Sequence, residues 1–208
     1  MFQETITHRR YPKSVGTIAR ILEAAARLFV AKSYADVTIN QIAEEAGLTK
    51  GAVYHHFPSK EDVYLAMMQR DLEDKRALFE RALHTDDSCR ARLGSLVATF
   101  LDLSPVKRDL MRLVRRDVNI FEEPARSSLI RAYQVALPEQ VEQVIRDGIE
   151  RGELREADPR LLSWQFVSLV EDLLNRYADS LFADSDSKRT YILDLFFHGA
   201  EATGERTR

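Results

Sequence analysis

The chain has 208 residues, 45% of them hydrophobic and 30% charged, which is ample for a buried core and excludes a disordered protein. Its one cysteine, Cys89, excludes an internal disulfide and a multi-cysteine metal centre. No apolar run is long enough to cross a bilayer, so a cytoplasmic protein is expected. The net charge of −3 divides unevenly: residues 1–60 hold 8 of the 30 basic and 5 of the 33 acidic residues, leaving the amino end at +3 and the remainder at −6. A polyanion is therefore a candidate partner for the amino end alone.

Residues 1–13 carry Arg9, Arg10 and Lys13 without apolar periodicity and read as a flexible basic arm, able to follow phosphates or a minor groove. They lack the apolar core of a secretory leader. From Ser14 to Ser33 the residues Ile18, Ile21, Leu22, Ala25, Leu28 and Phe29 recur at helical intervals, which predicts an amphipathic helix. The next stretch, TINQIAEEAGLTKGAVYHHFPSKEDVY from Thr38 to Tyr64, predicts two short helices, a tight turn and the start of a third helix. Thr38 with Gln41 makes a capping box, Val37 and Ile42 a hydrophobic staple, and Gly47 a stop. Thr49 can cap a second helix from Lys50 to His56, with Val53 and Phe57 inward and Lys50, Gly51, Tyr54 and His55 outward. Pro58 ends it, and Ser59 with Asp62 caps the third helix, where Lys60 stands beside free amides that a phosphate could meet. This is a helix-turn-helix plan, in which the second helix enters the major groove. Lys50 can meet a phosphate or a guanine edge, and Tyr54 and His55 can donate to phosphates or touch bases.

The run GLTKGAVYHHFPSKEDVY, with its Tyr-x-x-Phe-x-Ser-Lys ending, resembles the signature of the TetR family of transcriptional regulators, most of them ligand-released repressors. The resemblance covers residues 14–65; beyond them it is architectural. It implies that Thr17, Thr38, Thr49, Lys50, Gly51, Tyr54, His55 and Lys60 stand at positions that commonly contact DNA. Of these, Thr38, Tyr54 and Lys60 would meet phosphates, and Thr49, Lys50 and His55 would read bases.

A long helix is predicted from Ser59 to about Thr85, linking a head (14–60) to a larger body (61–208), and a tilt of such a connection would move the recognition helix. Further helices are expected at 90–103, 104–119, 125–151 (bent at Pro138), 159–182 and 188–202. Residues 159–182 are apolar on more than one side, and the surplus face points to a second copy. The resemblance implies a four-helix dimer bundle from the last two helices, with Phe166, Val170, Leu173, Leu174, Tyr177, Tyr191, Ile192, Leu195 and Phe196 as dimer candidates. Paired heads would then fit a palindromic operator.

An all-α body of this kind can keep a cavity for a small, largely apolar or amphipathic effector. Its candidate lining is Met68, Leu72, Phe79, Leu96, Phe100, Met111, Arg115, Asn119, Phe121, Trp164, Val167 and Glu171, with Val114 beside them. Arg112, Arg115 and Arg116 could select an anionic head group, or form a solvated face. The alternative is a body that only dimerises or binds proteins. No nucleophile elbow, phosphate loop or zinc helix argues for an enzyme, and no metal or cofactor is expected beyond the effector.

Overall fold

The computed structural model describes residues 12–198, and among them every regular element is helical. They form two compact units, one ending at Gln69 and the other beginning at Arg70.

The first unit contains α1 (Pro12–Ala31), α2 (Ile39–Glu45), α3 (Lys50–His56) and the opening of α4 (Lys60–Leu83). Helix α1 begins two residues before the expected Ser14, because the fixed φ of Pro12 suits a first turn. The expected arm up to residue 11 lies outside the described residues. The apolar period of α1 buries Ile21 and Phe29 completely, and α1 packs on α2, which packs on α3. Val37, Ile42, Val53, Val63 and Tyr64 complete this core. Phe29 meets Tyr64 edge-on at 4.9 Å and stacks on Tyr34 at 5.7 Å, fixing the loop between α1 and α2.

The second unit holds the rest of α4 and then α5 (Cys89–Leu101), α6 (Pro105–Asp117), a 3₁₀ turn (Val118–Ile120), α7 (Ala125–Ala136), α8 (Pro138–Glu150), α9 (Pro159–Asp172), α10 (Arg176–Leu181) and α11 (Ser185–His198). Side-chain caps begin several of them. Ser88, Ser104 and Asp158 accept from the amides of Ala91, Lys107 and Leu161. Helix α8 packs on α7 and α9, and α5 on α8 and α11.

Two expected helices are divided. The segment 125–151 is not one bent helix, because Leu137 (φ −141°, ψ −62°) leaves helical geometry and Pro138, lacking an amide, starts α8. The segment 159–182 stops at Asp172, because the Asn175 side chain accepts from the Ala178 amide at 2.9 Å and caps a separate α10. The last helix starts at Ser185 rather than Lys188, where Asp184 accepts from the Ser187 amide at 2.7 Å. Its expected run beyond His198 lies outside the described residues. No helix among those described is long and apolar enough to cross a membrane.

Candidate nucleic-acid interface and effector cavity

The turn between α2 and α3 is built by local chemistry. Thr38 caps α2 by accepting from the Gln41 amide at 3.3 Å, while the Thr38 amide donates to Gln41 Oε1 at 2.9 Å, so the expected capping box is present. Gly47 has φ +62°, the left-handed conformation that releases the chain from α2, and the Leu48 amide closes back on Ala43 at 2.8 Å. Thr49 then caps α3 through the Ala52 amide at 3.1 Å. A residue that the sequence reading missed also holds this turn. Arg20, on α1, donates to the carbonyls of Ala46 (2.6 Å) and Gly47 (3.1 Å), occupying the acceptors that the end of α2 leaves open. Its spacing from the turn, 26 and 27 residues, is visible only in three dimensions.

With Val53 and Phe57 buried beneath it, α3 turns Lys50, Gly51, Tyr54 and His55 outward. Tyr54 is 46% exposed and lies under the Lys50 ammonium, 5.8 Å from its ring centroid. This gives α3 a ridge with a cation, a phenol and an imidazole. Thr38 and Thr49 are exposed at the two helix starts, with their hydroxyls engaged in capping, and Thr17 is half-buried on α1. Lys60, expected beside the free amides of the third helix, turns its ammonium inward. Its ammonium donates inward to the carbonyls of Tyr34 (2.8 Å) and Val37 (2.9 Å) and sits 4.3 Å from the Tyr34 ring centroid, because those carbonyls end a loop that has no ladder partner.

In the second unit, α6, α7 and α9 border an open cavity of about 370 Å³ lined by Val114, Arg115, Val118, Ile130, Tyr133, Gln134, Pro138, Trp164, Val167 and Ser168. Beside it lies a polar trio. The buried Glu171 accepts from the Tyr133 hydroxyl at 2.8 Å and pairs with Arg115 at 3.2 Å, and Arg115 also donates to Ser168 Oγ at 3.0 Å. Burial raises the Glu171 carboxyl above its ordinary range, opposed by Arg115 and the Tyr133 hydrogen bond. Burial and the neighbouring Glu171 push the Tyr133 phenol up as well.

Of the expected effector contacts, Arg115, Trp164 and Val167 line this cavity, and Glu171 supports it from behind. Met68, Leu72, Phe79, Leu96, Phe100, Met111 and Phe121 are instead packed as core, Phe79 stacking on Phe100 at 5.4 Å; Met68 belongs to the first unit. Asn119 is exposed on the 3₁₀ turn. The arginine cluster is not a free anion receptor. Arg112 donates to the carbonyls of Glu171 and Leu174 at the end of α9, and Arg116 is bidentate with Asp117 at 2.7 and 2.8 Å. A larger cleft of about 670 Å³ between α4, α7 and α8 is lined by charges of both signs, among them Arg76, Glu80, Glu139 and Asp147, together with Leu83, Val135 and Val144. Among the described residues no group of three His, Cys, Asp or Glu side chains could hold a metal ion. Cys89 is buried, and burial pushes its thiol up to about 12, which removes thiolate reactivity.

The dimer candidates separate in the same way. Phe166, Val170, Leu174 and Ile192 are buried within their own chain. They were indistinguishable from surface positions in sequence because α9 and α11 bury one face against each other, Phe166 meeting Phe196 edge-on at 4.9 Å. Leu173, Leu195 and Phe196 are half-buried. Tyr177 and Tyr191 are exposed, as are Leu161, Trp164 and Leu181.

Two family models match the chain: residues 21–67 match the bacterial regulatory proteins of the tetR family, and residues 86–179 the tetracyclin repressor-like C-terminal domain. The HTH-type transcriptional regulator SrpR of Pseudomonas putida is 31% identical over 144 residues, 66% of this chain and 63% of that one. The chain spans only 38% to 63% of the first curated relatives that it matches. Among solved structures, the FadR transcriptional regulator from Bacillus subtilis in complex with stearoyl-CoA has a TM-score of 0.74 at 17% identity, covering 88% of this chain and 99% of that one. AibR in complex with isovaleryl coenzyme A and operator DNA has a TM-score of 0.74 at 19% identity, covering 87% and 98%. At these identities the two structures show the fold alone.

Proposed function

The chain belongs to the TetR family and is a DNA-binding transcriptional regulator, and from that premise we propose that it works as a homodimeric repressor released by a small amphipathic effector. The observation that carries this reading is the ridge of Lys50, Tyr54 and His55 on α3, whose opposite side is locked into the core by Val53 and Phe57. A rigid helix with an exposed cation and two ring donors suits a major groove. A single head carries few basic groups, so paired heads on a palindromic operator supply the affinity that one lacks. Thr17, Thr38, Gly51 and the first turn of α4 would hold phosphates around the ridge, with Thr49 at its edge beside the bases.

The effector would occupy the cavity between α6, α7 and α9. Its apolar walls suit a hydrophobic body, and Tyr133, Arg115 and Ser168 offer one polar anchor. Arg115 is already paired with Glu171, so a neutral carbonyl-type group fits better than a second carboxylate. The acyl-thioester ligands of the two solved relatives have an apolar chain next to such a carbonyl. Bound effector shifts operator affinity only through its different affinity for the two states of the dimer.

Gel shifts at fixed salt on fragments selected from genomic DNA test the reading. Tyr54→Ala should weaken binding to every fragment, whereas Lys50→Ala should cost roughly 1–3 kcal/mol on the selected site and also change base preference. If Lys50→Ala weakens selected and random DNA equally, the assignment of α3 as the reading helix is wrong. Thermal shift against acyl-CoA and metabolite panels tests the effector: a ligand at a hundredfold excess over its Kd should stabilise the fold by about 2.7 kcal/mol. No reproducible shift would favour a body that only dimerises.

A further inference from the structure

The cleft of about 670 Å³ between α4, α7 and α8 shares no lining residue with the cavity between α6, α7 and α9. Part of its wall is apolar, with Leu83 and Val144 buried and Val135 half-buried. Most of the charges around it are already paired. Arg92 binds Asp147 at 2.8 Å, Arg151 lies 3.8 Å from Asp86, and Glu139 pairs with Arg131 just outside the lining. Two charges of opposite sign remain. Arg76 and Glu80, one turn apart on α4 and both exposed, have no ion-pair partner among the described residues. They do not satisfy each other, since a cation four residues before an anion is the weaker order of a helical pair. Glu80 also stands in the last turn of α4, where the helix dipole disfavours an anion. On the facing helix, Gln140 donates its amide to the carbonyls of Arg76, Val135 and Ala136 at 3.3, 3.4 and 2.8 Å, and its Oε1 is left buried with no partner. An unmet buried acceptor costs free energy. Local rules broken together in one cleft are what a fold tolerates at a binding site.

We propose that this cleft binds a small zwitterion with an aliphatic body, the chemistry shared by a free branched amino acid and a short apolar peptide. Arg76 takes the carboxylate and Glu80 the ammonium, with Gln140 Oε1 as a further acceptor. Leu83, Val135 and Val144 receive the hydrocarbon. A simple anion or cation would answer one of the two free charges and leave the other unmet, whereas a molecule that bears both answers each. Because the walls are α4 and α8, an occupant holds those helices together and stabilises the fold. The regulator then has a second input, separate from the effector proposed above.

Isothermal titration calorimetry on the full chain at low salt tests the site with L-leucine, L-leucyl-L-leucine, isopentylamine, which lacks the carboxylate, and 4-methylpentanoate, which lacks the ammonium. At least one of the two zwitterions should bind roughly tenfold tighter than either singly charged analogue. The tighter zwitterion says whether the site takes amino acids or peptides. Arg76→Gln should weaken that zwitterion by roughly fivefold and leave isopentylamine unchanged. Glu80→Gln should weaken the zwitterion and isopentylamine alike and leave 4-methylpentanoate unchanged. Both side chains are exposed, so neither variant disturbs the core. No heat from either zwitterion at about 10 mM, analogues as tight as the zwitterions, or variants that bind as wild type does would each overturn the inference. The DNA-reading ridge and the other cavity would stand, since neither shares a residue with this cleft.

Discussion

Glu171 shows how one buried carboxylate ties the cavity to stability. Burial raises its pKa above the ordinary 4.5, and Arg115 and Tyr133 only partly oppose this. The folded chain therefore binds this proton more tightly than the unfolded chain does. Its contribution to stability is full below the unfolded value and is lost as pH rises through the folded one. Glu171→Gln keeps an oxygen for the Tyr133 hydroxyl and removes the titration. The expected outcome is a smaller loss of stability from about pH 4.5 toward neutrality than in wild type, read from urea midpoints along a pH series. An identical pH slope in the two proteins would show that Glu171 is ionised freely in both states. Arg20 and Lys60 show the same residue-level logic in the head: each donates N–H hydrogen bonds from a cationic group to two loop or helix-end carbonyls that water would otherwise have to satisfy.

At the scale of elements, close helix packing decides what each glycine does. Gly148 on α8 lies against the start of α5, and a Cβ there would stand 2.8 Å from Cys89 Cβ and 3.0 Å from its sulfur. Gly148→Ala should therefore destabilise the fold by about 1–3 kcal/mol through overpacking. Gly16, on α1, has nothing within 4 Å of an added Cβ, and Gly16→Ala should stabilise by about 0.5–1 kcal/mol through helix propensity alone. Opposite signs in urea denaturation are the expected result, and equal effects would contradict the α5–α8 contact. The helix starts were readable from Ser88, Ser104 and Asp158, whose short polar side chains act within three residues. At Pro138 the sequence showed a bend but not a full break, and at Asn175 it showed nothing, because the apolar period runs through both.

For the whole molecule, the first prediction concerns concentration. A chain that folds as a dimer should melt higher as it is concentrated, by about 3 °C for a hundredfold increase, given the entropy of unfolding of a chain this long. A melting temperature independent of concentration would mean that association contributes nothing to folding, and the effector site would then have to work within one chain. The acidic body and basic head divide the labour that this requires. The excess of three positive charges in residues 1–60 is a local property, invisible in the net charge of −3.

The sequence by itself determined the helical class, the head with its capped turn, and the outward set Lys50, Tyr54 and His55. Each depends on interactions spanning at most a few residues, so chain order is enough to specify them. Only the tertiary structure decided which apolar residues were core, which lined the cavity and which were left exposed. Leu, Phe and Val carry the same hydrophobic signal in all three places, and the neighbour that covers them comes from a helix many residues away. The same holds for the roles of Arg20, Lys60, Arg112 and Glu171: a charge in a sequence has no partner until folding brings one within hydrogen-bond reach.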